Sequence, residues 1–559
     1  MSPSDSRITP FRSFIICGIL VAVCYANSLP NAFILDDVLI VAANENIRHI
    51  QPIQLLAHSY WGDRTNAGIY RPLTVFSFAL EYPIWHVWAP GYRFTNLLLH
   101  TLNGWLVFLL VNGLLESPVA ALASAAVYVV HPVQTEAVVS IVGRSELLAA
   151  TFFFAAWLAF RKGRTGWAAV AYVLAVLSKE SAITFPAVAM LDVALSRGGG
   201  LRRLLEWWRR FAVLAAAGIG YLALRAYVLG GLGVPPEWQY MDGKLTLVQR
   251  WITSGRVFIQ YFRLLIAPVQ VTGDYDYNSV PIAGFRDWDA WLGLIIIAGL
   301  IAVAIRVWKR KPAVTLGILF FFIALLPVSN WIMPIYLLMA ERFLYTPVFA
   351  FALLAGMAWT AIPRAEYRTI VAGGVLAFAI LLCISHNYIW QDTLTFHENV
   401  VRVLPQNARA RLGYGFALLR INKTEEAKAQ FEAGLKIKPG SAPLLAGLAT
   451  SILRIDGRCD RVRPVLAQAF AAEPGQWQSL WVLGDCFAME GKLQQAERSY
   501  NLAIENAEHP DARLLFSWGR LLEAMGKTST AMAAYERASL IDPADEGIKT
   551  KLKELVQAN

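Results

Sequence analysis

The chain has 559 residues, 56% of them hydrophobic and only 16% charged, whereas soluble domains average about 45–50% and about 25%. That composition argues against one ordinary soluble domain. The formal charge of +10, from 50 basic and 40 acidic residues, does not point to nucleic acid, because the bases gather in short loops between apolar runs, as at 161–164 and 306–311.

In chain order, Arg7 and Arg12 precede an apolar run with no small-residue cleavage site after it, which reads as a retained first membrane helix. Apolar stretches at 8–28, 94–114, 119–130, 147–160, 167–177, 183–195, 211–229, 291–307, 314–328, 343–362 and 369–385 predict about eleven spans. The stretch 245–267 is interrupted by Arg250, Arg256 and Arg263. Arg256 and Arg263 share a helix face, so an interfacial amphipathic helix is expected there. Placing the basic loops in the cytoplasm puts the N-terminus inside and, after eleven spans, the C-terminal region in the periplasm or lumen. The same topology gathers Asp36, Asp37, His131, Lys179, Glu180, Asp274, Asp276, Glu341 and Arg342 on the external side.

After Pro405 a period of about 34–35 residues emerges, that of tetratricopeptide (TPR) repeats. Leu480, Leu483-Gly484, Phe487, Ala496, Tyr500 and Ala503 recur as Leu515, Trp518-Gly519, Leu522, Ala531, Tyr535 and Ala538. An earlier copy holds Tyr414-Gly415, Leu418, Ala427 and Phe431, and a degenerate one keeps Leu466, Ala469 and Pro474. The expected architecture is all-α: a polytopic membrane bundle over 1–390, then a soluble TPR α-solenoid of about four repeats over 405–559. The cysteines Cys17, Cys24, Cys383, Cys459 and Cys486 lack metal-ligand spacing and read as small core residues.

Several polar constellations interrupt the apolar pattern. Asp36 and Asp37 are adjacent carboxylates at a membrane surface, suited to a general base if one is held with a raised pKa, or else a solvated loop capping a helix. Arg71, before Pro72, can present its fork to a phosphate or simply snorkel. Glu136, Ser140 and Arg144 are spaced to form one polar helical stripe after His131-Pro132, with Glu146 close by; a structural ion pair is the alternative. Lys179-Glu180 is an ionisable pair between two spans, and such groups mark function by default. Gly273-Asp274-Tyr275-Asp276-Tyr277 alternates acids with rings, a pattern suited to sugar and equally to a surface loop. Glu341-Arg342 opens a late span. No glycine-rich phosphate loop, zinc-protease or serine-hydrolase motif is present.

The acidic pair, Tyr70-Arg71-Pro72-Leu73, Gly91-Tyr92 through His100, His131-Pro132-Val133 with Glu136, Gly143-Arg144-Ser145-Glu146, Leu177-Ser178-Lys179-Glu180 and Glu341-Arg342-Phe343-Leu344-Tyr345, in this order, resemble the transmembrane-and-TPR-containing O-mannosyltransferases. The resemblance covers nearly the whole chain and implies a GT-C glycosyltransferase that moves a sugar, mannose in that family, from a polyprenyl (dolichyl) phosphate to protein Ser/Thr hydroxyls. It places Asp36 and Asp37 at the catalytic acidic positions, although many GT-C enzymes have Asp-Glu there. Arg144-Ser145-Glu146 stands where related bacterial sequences often carry an Arg-Lys-Asp-like stretch.

Arg71, Lys179 and Arg342 are the candidates for the donor phosphate. His131, Glu136, Arg144, Glu146, Glu180, Asp274, Asp276 and Glu341 are the candidates for substrate contacts. No metal ligands are assigned, and a divalent metal is left open because GT-C enzymes differ in using one. The implied partners are the polyprenyl-phosphate lipid, the membrane and an acceptor protein held by the repeats. The implied location is a bacterial inner membrane or the endoplasmic reticulum. The repeats are fewer than in the animal members. A membrane scaffold and a transporter are the competing classes; a transporter expects charges near the midplane rather than at one face.

Overall fold

Thr9 opens the first apolar run as a helix. Its hydroxyl accepts the Arg12 N–H at 3.2 Å, and Pro10 occupies the first turn, where a missing N–H costs nothing. Ser117 and Pro118 repeat the device further along. The computed structural model describes residues 8–61, 68–196, 200–231, 245–275, 279–332, 334–335, 337–507, 510–541 and 545–558, and every regular element among them is helical. Contacts divide the chain into two units: Met1–Tyr275 with Val280–Phe396, and Asp276–Ser279 with His397–Asn559.

The first unit begins with α1 (Pro10–Tyr25), the short α2 (Pro52–Ala57), α3 (Pro72–Trp85), α4 (Ala89–Leu115) and α5 (Pro118–Val130). It continues through α6 (Thr135–Val139), α7 (Arg144–Arg161), α8 (Thr165–Ser178), α9 (Phe185–Leu195), α10 (Leu201–Glu206) and α11 (Trp208–Leu229). Its last helices are α12 (Leu247–Ile266), α13 (Trp288–Val307), α14 (Pro312–Leu325), α15 (Val348–Thr360) and α16 (Ala365–Asn387). Each apolar stretch expected from the sequence is helical. Six helical stretches are long and apolar enough to cross a membrane, or seven if Pro118–Val130 and Pro132–Val139, bent by 50°, count as one. Thr165–Ser178, Pro312–Val328 and Val348–Thr360 are apolar but shorter. Among the described residues, length and composition therefore do not reach the expected count of eleven.

Helix α12 is amphipathic, as expected, but its apolar side is spent on protein: Ile252, Val257, Phe258, Tyr261 and Leu264 are all buried. Gly255 of α12 faces Gly293 and Ala290 of α13 so closely that a Cβ at either glycine would strike the opposing backbone, the approach small residues permit between membrane helices. Arg256 reaches Asp289 with two hydrogen bonds of 2.6 and 2.8 Å.

Helix α17 (Thr393–Val403) crosses the border between the units. The second unit then pairs α18 (Ala408–Arg420) with α19 (Thr424–Ile437), α20 (Ala442–Asp456) with α21 (Cys459–Ala472), α22 (Trp477–Met489) with α23 (Leu493–Asn506), and α24 (Ala512–Ala524) with α25 (Thr528–Ile541); α26 (Glu546–Ala558) follows. Within a pair, an aromatic of the second helix lies on a glycine of the first: Phe431 on Gly415, Tyr500 on Gly484, Tyr535 on Gly519. Buried Ala427, Ala496 and Ala531 let the two helices approach. The α20–α21 pair lacks the aromatic and keeps Val462, Leu466 and Ala469 in its core, which is why its sequence signature is faint.

Candidate functional site

Neighbours in sequence, Asp36 and Asp37 face opposite ways. Leu35, at φ 51°, turns the chain into the left-handed region, and the Asp37 N–H then closes on the Ile34 carbonyl at 3.0 Å. Asp36 is left exposed and Asp37 fully buried. One oxygen of Asp37, Oδ1, accepts the Val142 N–H at 2.9 Å and the Ser140 hydroxyl at 3.4 Å; its Oδ2 is buried without a partner. Burial pushes Asp37 up to about 6, although Arg93 and the Val142 N–H oppose the shift. Arg93 of α4, itself buried, fixes the same loop from behind. Its guanidinium donates to the carbonyls of Ala32 at 2.5 Å, Val139 at 3.0 Å and Asn31.

In front of this loop, three cations are each matched by a carboxylate. Arg71 grips Glu180 with Nε to Oε2 at 2.9 Å and Nη2 to Oε1 at 2.6 Å, and lies over the Tyr60 ring at 5.4 Å. Burial alone would push Glu180 up, but Arg71 and Lys179 outweigh it and hold the carboxyl at about 2. Lys179 pairs with Glu146, both buried. Arg342 pairs with Glu136 through its guanidinium, and its backbone N–H donates to Glu136 Oε2 at 2.7 Å. The pairs act on one another: Glu146 on Arg71 and Arg342, Lys179 on Glu180. Asp36 acts on Arg342 and on Tyr60, so the exposed carboxylate belongs to the same constellation. Arg342 keeps 33% of its side chain exposed, while Lys179 keeps 2%. A cleft lined by Glu146, Lys179, Phe153, Phe343 and Pro347 opens beside the inner pair. Among the described residues, no group of three or more His, Cys, Asp or Glu forms a metal cluster.

Family models of the tetratricopeptide repeat match residues 456–513 and 512–545. Over 487 residues, 74% of the chain and 64% of the relative, the sequence is 26% identical to protein O-mannosyl-transferase TMTC4 of Homo sapiens. It is 24% identical over 95% of the chain, and 64% of the relative, to protein O-mannosyl-transferase TMTC3 of Mus musculus. A shorter stretch, 30% of the chain and 21% of the relative, is 36% identical to protein O-mannosyl-transferase Tmtc1 of Drosophila melanogaster. Its relatives are protein O-mannosyl-transferases. The chain spans about 64% of the length of the first two of these transferases.

The resemblance read from the sequence is thus matched by named O-mannosyl-transferases, and six apolar spans fit a multi-pass membrane protein. Not every residue singled out joins the constellation. Glu136, Ser140 and Arg144 do not form one helical stripe, because α6 ends at Val139 and a 3-10 turn over Ile141–Gly143 precedes α7. Their side chains diverge: Glu136 to Arg342, Ser140 to Asp37, and Arg144 into the core. There Arg144 reaches Glu81 at 2.6 Å, the Tyr92 carbonyl at 2.7 Å and Asn96 Oδ1 at 2.8 Å, over the Phe78 ring. His131 holds the break after α5, with Nε2–H on the Leu265 carbonyl at 2.9 Å and Nδ1 accepting the Val133 N–H. Glu341 is buried, taking the Thr272 N–H at 2.6 Å and the Tyr275 hydroxyl at 2.7 Å, and burial pushes it well above the usual carboxylate range. Asp274 is half-buried beside Tyr275, and Asp276 lies outside the described residues.

Sequence reasoning passed over Arg93, Tyr60, Asn96 and Glu81. Arg93 and Asn96 stood inside a quoted motif. Their partners are mostly backbone carbonyls 42 to 62 positions away, which no local pattern reveals. The signal that could have found Arg93 is a charged residue within an apolar helix of 27 residues.

Proposed function

We propose that the membrane unit transfers mannose from a polyprenyl-phosphate donor to Ser or Thr hydroxyls of proteins on the external or lumenal face, with Asp36 as general base. The observation that carries this reading is the exposed Asp36 carboxylate, near enough to the partly exposed Arg342 for their charges to interact. A base for the acceptor and a cation for the leaving phosphate then stand in one place. As the hydroxyl oxygen bonds to the anomeric carbon, its proton passes to Asp36. The carbon–oxygen bond to phosphate breaks, and its electron pair stays on the departing polyprenyl phosphate. A single displacement of this kind inverts the anomeric centre.

Arg342 and Arg71 are the cations placed to take the growing phosphate charge, sharing their forks with Glu136 and Glu180. Lys179, buried against Glu146, serves better as a fixed counter-charge behind them than as a direct ligand. Asp37 acts as a positioning residue, tying the Asp36 loop to Val142. The repeats hold the acceptor protein.

The experiment compares purified Asp36→Asn with the parent on polyprenyl-phosphate mannose and a Ser/Thr peptide. Loss of the base should lower turnover by about 10²–10⁴. Because Asp36 is exposed, the melting temperature should not move. Undiminished turnover would remove Asp36 from the role.

A further inference from the structure

Helix α7 starts at Arg144, beside the charged constellation, and runs for 18 residues to Arg161. At 1.5 Å per residue it covers about 27 Å, close to the thickness of a bilayer's apolar core. Its far end therefore marks the opposite membrane face. There Gly163, at φ 73°, lets the chain reverse into α8, and the Arg164 N–H closes on the Ala159 carbonyl at 2.9 Å. The turn leaves Lys162 and Arg164 exposed.

The segment joining α10 to α11 packs against the same turn. Phe160 meets Trp207 and Phe211, with ring centroids 5.4 and 5.7 Å apart. Arg210 lies over the Trp207 ring at 4.1 Å, and its two Nη atoms stand 3.7 and 3.8 Å from where a Cβ on Gly163 would be. Half-buried there, the Arg210 side chain forms no hydrogen bond and no ion pair among the described residues. Lys162, Arg164 and exposed Arg209, which lies over the Trp208 ring at 5.6 Å, form no ion pair among them either. Of the neighbouring carboxylates, Asp192 takes Arg161 and the Trp157 N–H, and Glu206 takes Arg202. Exposed Glu116, at the end of α4, pairs with no cation among the described residues.

A guanidinium drawn partly out of water without an acceptor is costly, and cations converging from two separate segments repel one another. An anion with several oxygens relieves both. Trp167, Leu205 and Trp208, within a few positions of these cations, are exposed, as side chains at a membrane–water interface are. Basic loops in general fix which way a membrane protein faces. What singles out this turn is a guanidinium set between a ring and a glycine with no acceptor of its own. We infer that it binds the headgroup of an anionic phospholipid in the leaflet opposite the charged constellation. Arg210 takes two phosphate oxygens with its fork, and Lys162, Arg164 and Arg209 supply the surrounding positive charge. The inference needs only a membrane-spanning chain and is independent of the transfer proposed above.

The test titrates the full chain in a non-ionic detergent with dioleoyl-phosphatidylglycerol or dioleoyl-phosphatidylcholine and counts retained lipids by native mass spectrometry. Phosphatidylglycerol should be held more tightly, by on the order of tenfold, and inorganic phosphate should not displace it. The double variant Lys162→Gln/Arg210→Gln should lose that preference. Lys309→Gln/Arg310→Gln, which removes the same charge from exposed positions between α13 and α14, should keep it. Should the first variant melt early, Lys162→Gln/Arg164→Gln, at two exposed positions, takes its place. Equal retention of the two lipids overturns the proposal, and so does displacement by phosphate, which would make the turn a site for the free ion. Equal loss of preference in both double variants, or parent-like preference in a folded Lys162→Gln/Arg210→Gln variant, overturns it as well.

Discussion

The two units handle charge in opposite ways. In the membrane unit, Lys179 and Glu146 are 2% and 5% exposed, and Arg144 meets Glu81 with its own side chain at 0%. In the repeat unit, Arg458 and Asp460 are each 62% exposed, and Lys423 and Glu426 are 52% and 55%. Buried charges survive only because every partner is present, so removing one leaves its mate stranded in a poor dielectric. Exposed pairs trade one solvated state for another. The membrane unit is therefore built around its ion pairs, whereas the repeat unit is built around its glycine–aromatic contacts and carries its ion pairs as decoration.

The largest effect should come from breaking the innermost pair. Lys179→Ala strands Glu146 and should cost about 3–5 kcal/mol, read as a lower melting temperature in detergent. Replacing both by methionine should recover much of that loss, since a packed apolar pair avoids the desolvation cost. A single variant that melts like the parent would mean that Glu146 takes up a proton at little cost, and the contrast between the units would weaken.

Asp37 sharpens the comparison through pH. An unfolded aspartate titrates near 3.9 and the folded Asp37 near about 6, so between those values the folded chain holds more protons than the unfolded chain. Stability should therefore fall as pH rises through that window and stay level above it. The difference is on the order of 3 kcal/mol. Asp37→Asn keeps an acceptor for the Val142 N–H and has no proton to lose. Its melting temperature should lack that slope and should match or exceed the parent's at neutral pH. Parallel slopes for parent and variant would show that Asp37 is not buried as described.

How much of this was legible in sequence differs by region. The helices followed from apolar runs, and the repeats from matching offsets at Gly415, Gly484 and Gly519, because each packing unit is local and recurs. That Asp36 is exposed and Asp37 buried was not legible. It depends on one backbone turn at Leu35 and on the Val142 N–H, which arrives from 105 positions away. The Glu136–Ser140–Arg144 stripe misled for a related reason. Helical spacing assumes one continuous helix, and the interruption between Val139 and Arg144 sent the three side chains to three different partners. The span count of eleven included short apolar helices that pack among neighbours, which hydropathy does not register: Phe349 and Leu353 of α15 and Leu316 and Phe320 of α14 are buried by protein.

A smaller effect is expected at Arg93, where the fork matters more than the charge. Arg93→Lys keeps the positive charge beside Asp37 but cannot span the carbonyls of Asn31, Ala32 and Val139 in one plane. Hydrogen bonds from a charged donor are worth about 1.5–3 kcal/mol each, and lysine should retain part of that. The loosened loop should lower kcat by about tenfold to a hundredfold and leave KM for a peptide acceptor unchanged, since Asp36 is misplaced while the binding surfaces are intact. A lower melting temperature with normal kcat would reduce Arg93 to a structural role.

The smallest effect, and the sharpest check on the other half of the comparison, lies at Glu490, which takes Arg463 at 2.7 Å and Lys492 at 2.8 Å. On paper this triad outnumbers the Lys179–Glu146 pair. In water it should count for almost nothing, because both cations are about half exposed and each keeps its hydration when the carboxylate is lost. Glu490→Ala should leave the melting temperature within experimental scatter, and so should Arg463→Ala and the double variant, giving a double-mutant cycle with no measurable coupling. In the same unit, Tyr500→Ala empties the space against Gly484 and should lower the melting temperature clearly, although the residue carries no charge. If the cycle at Glu490 showed coupling comparable to that loss, the repeats would depend on their ion pairs as the membrane unit does, and the distinction between the two units would fail.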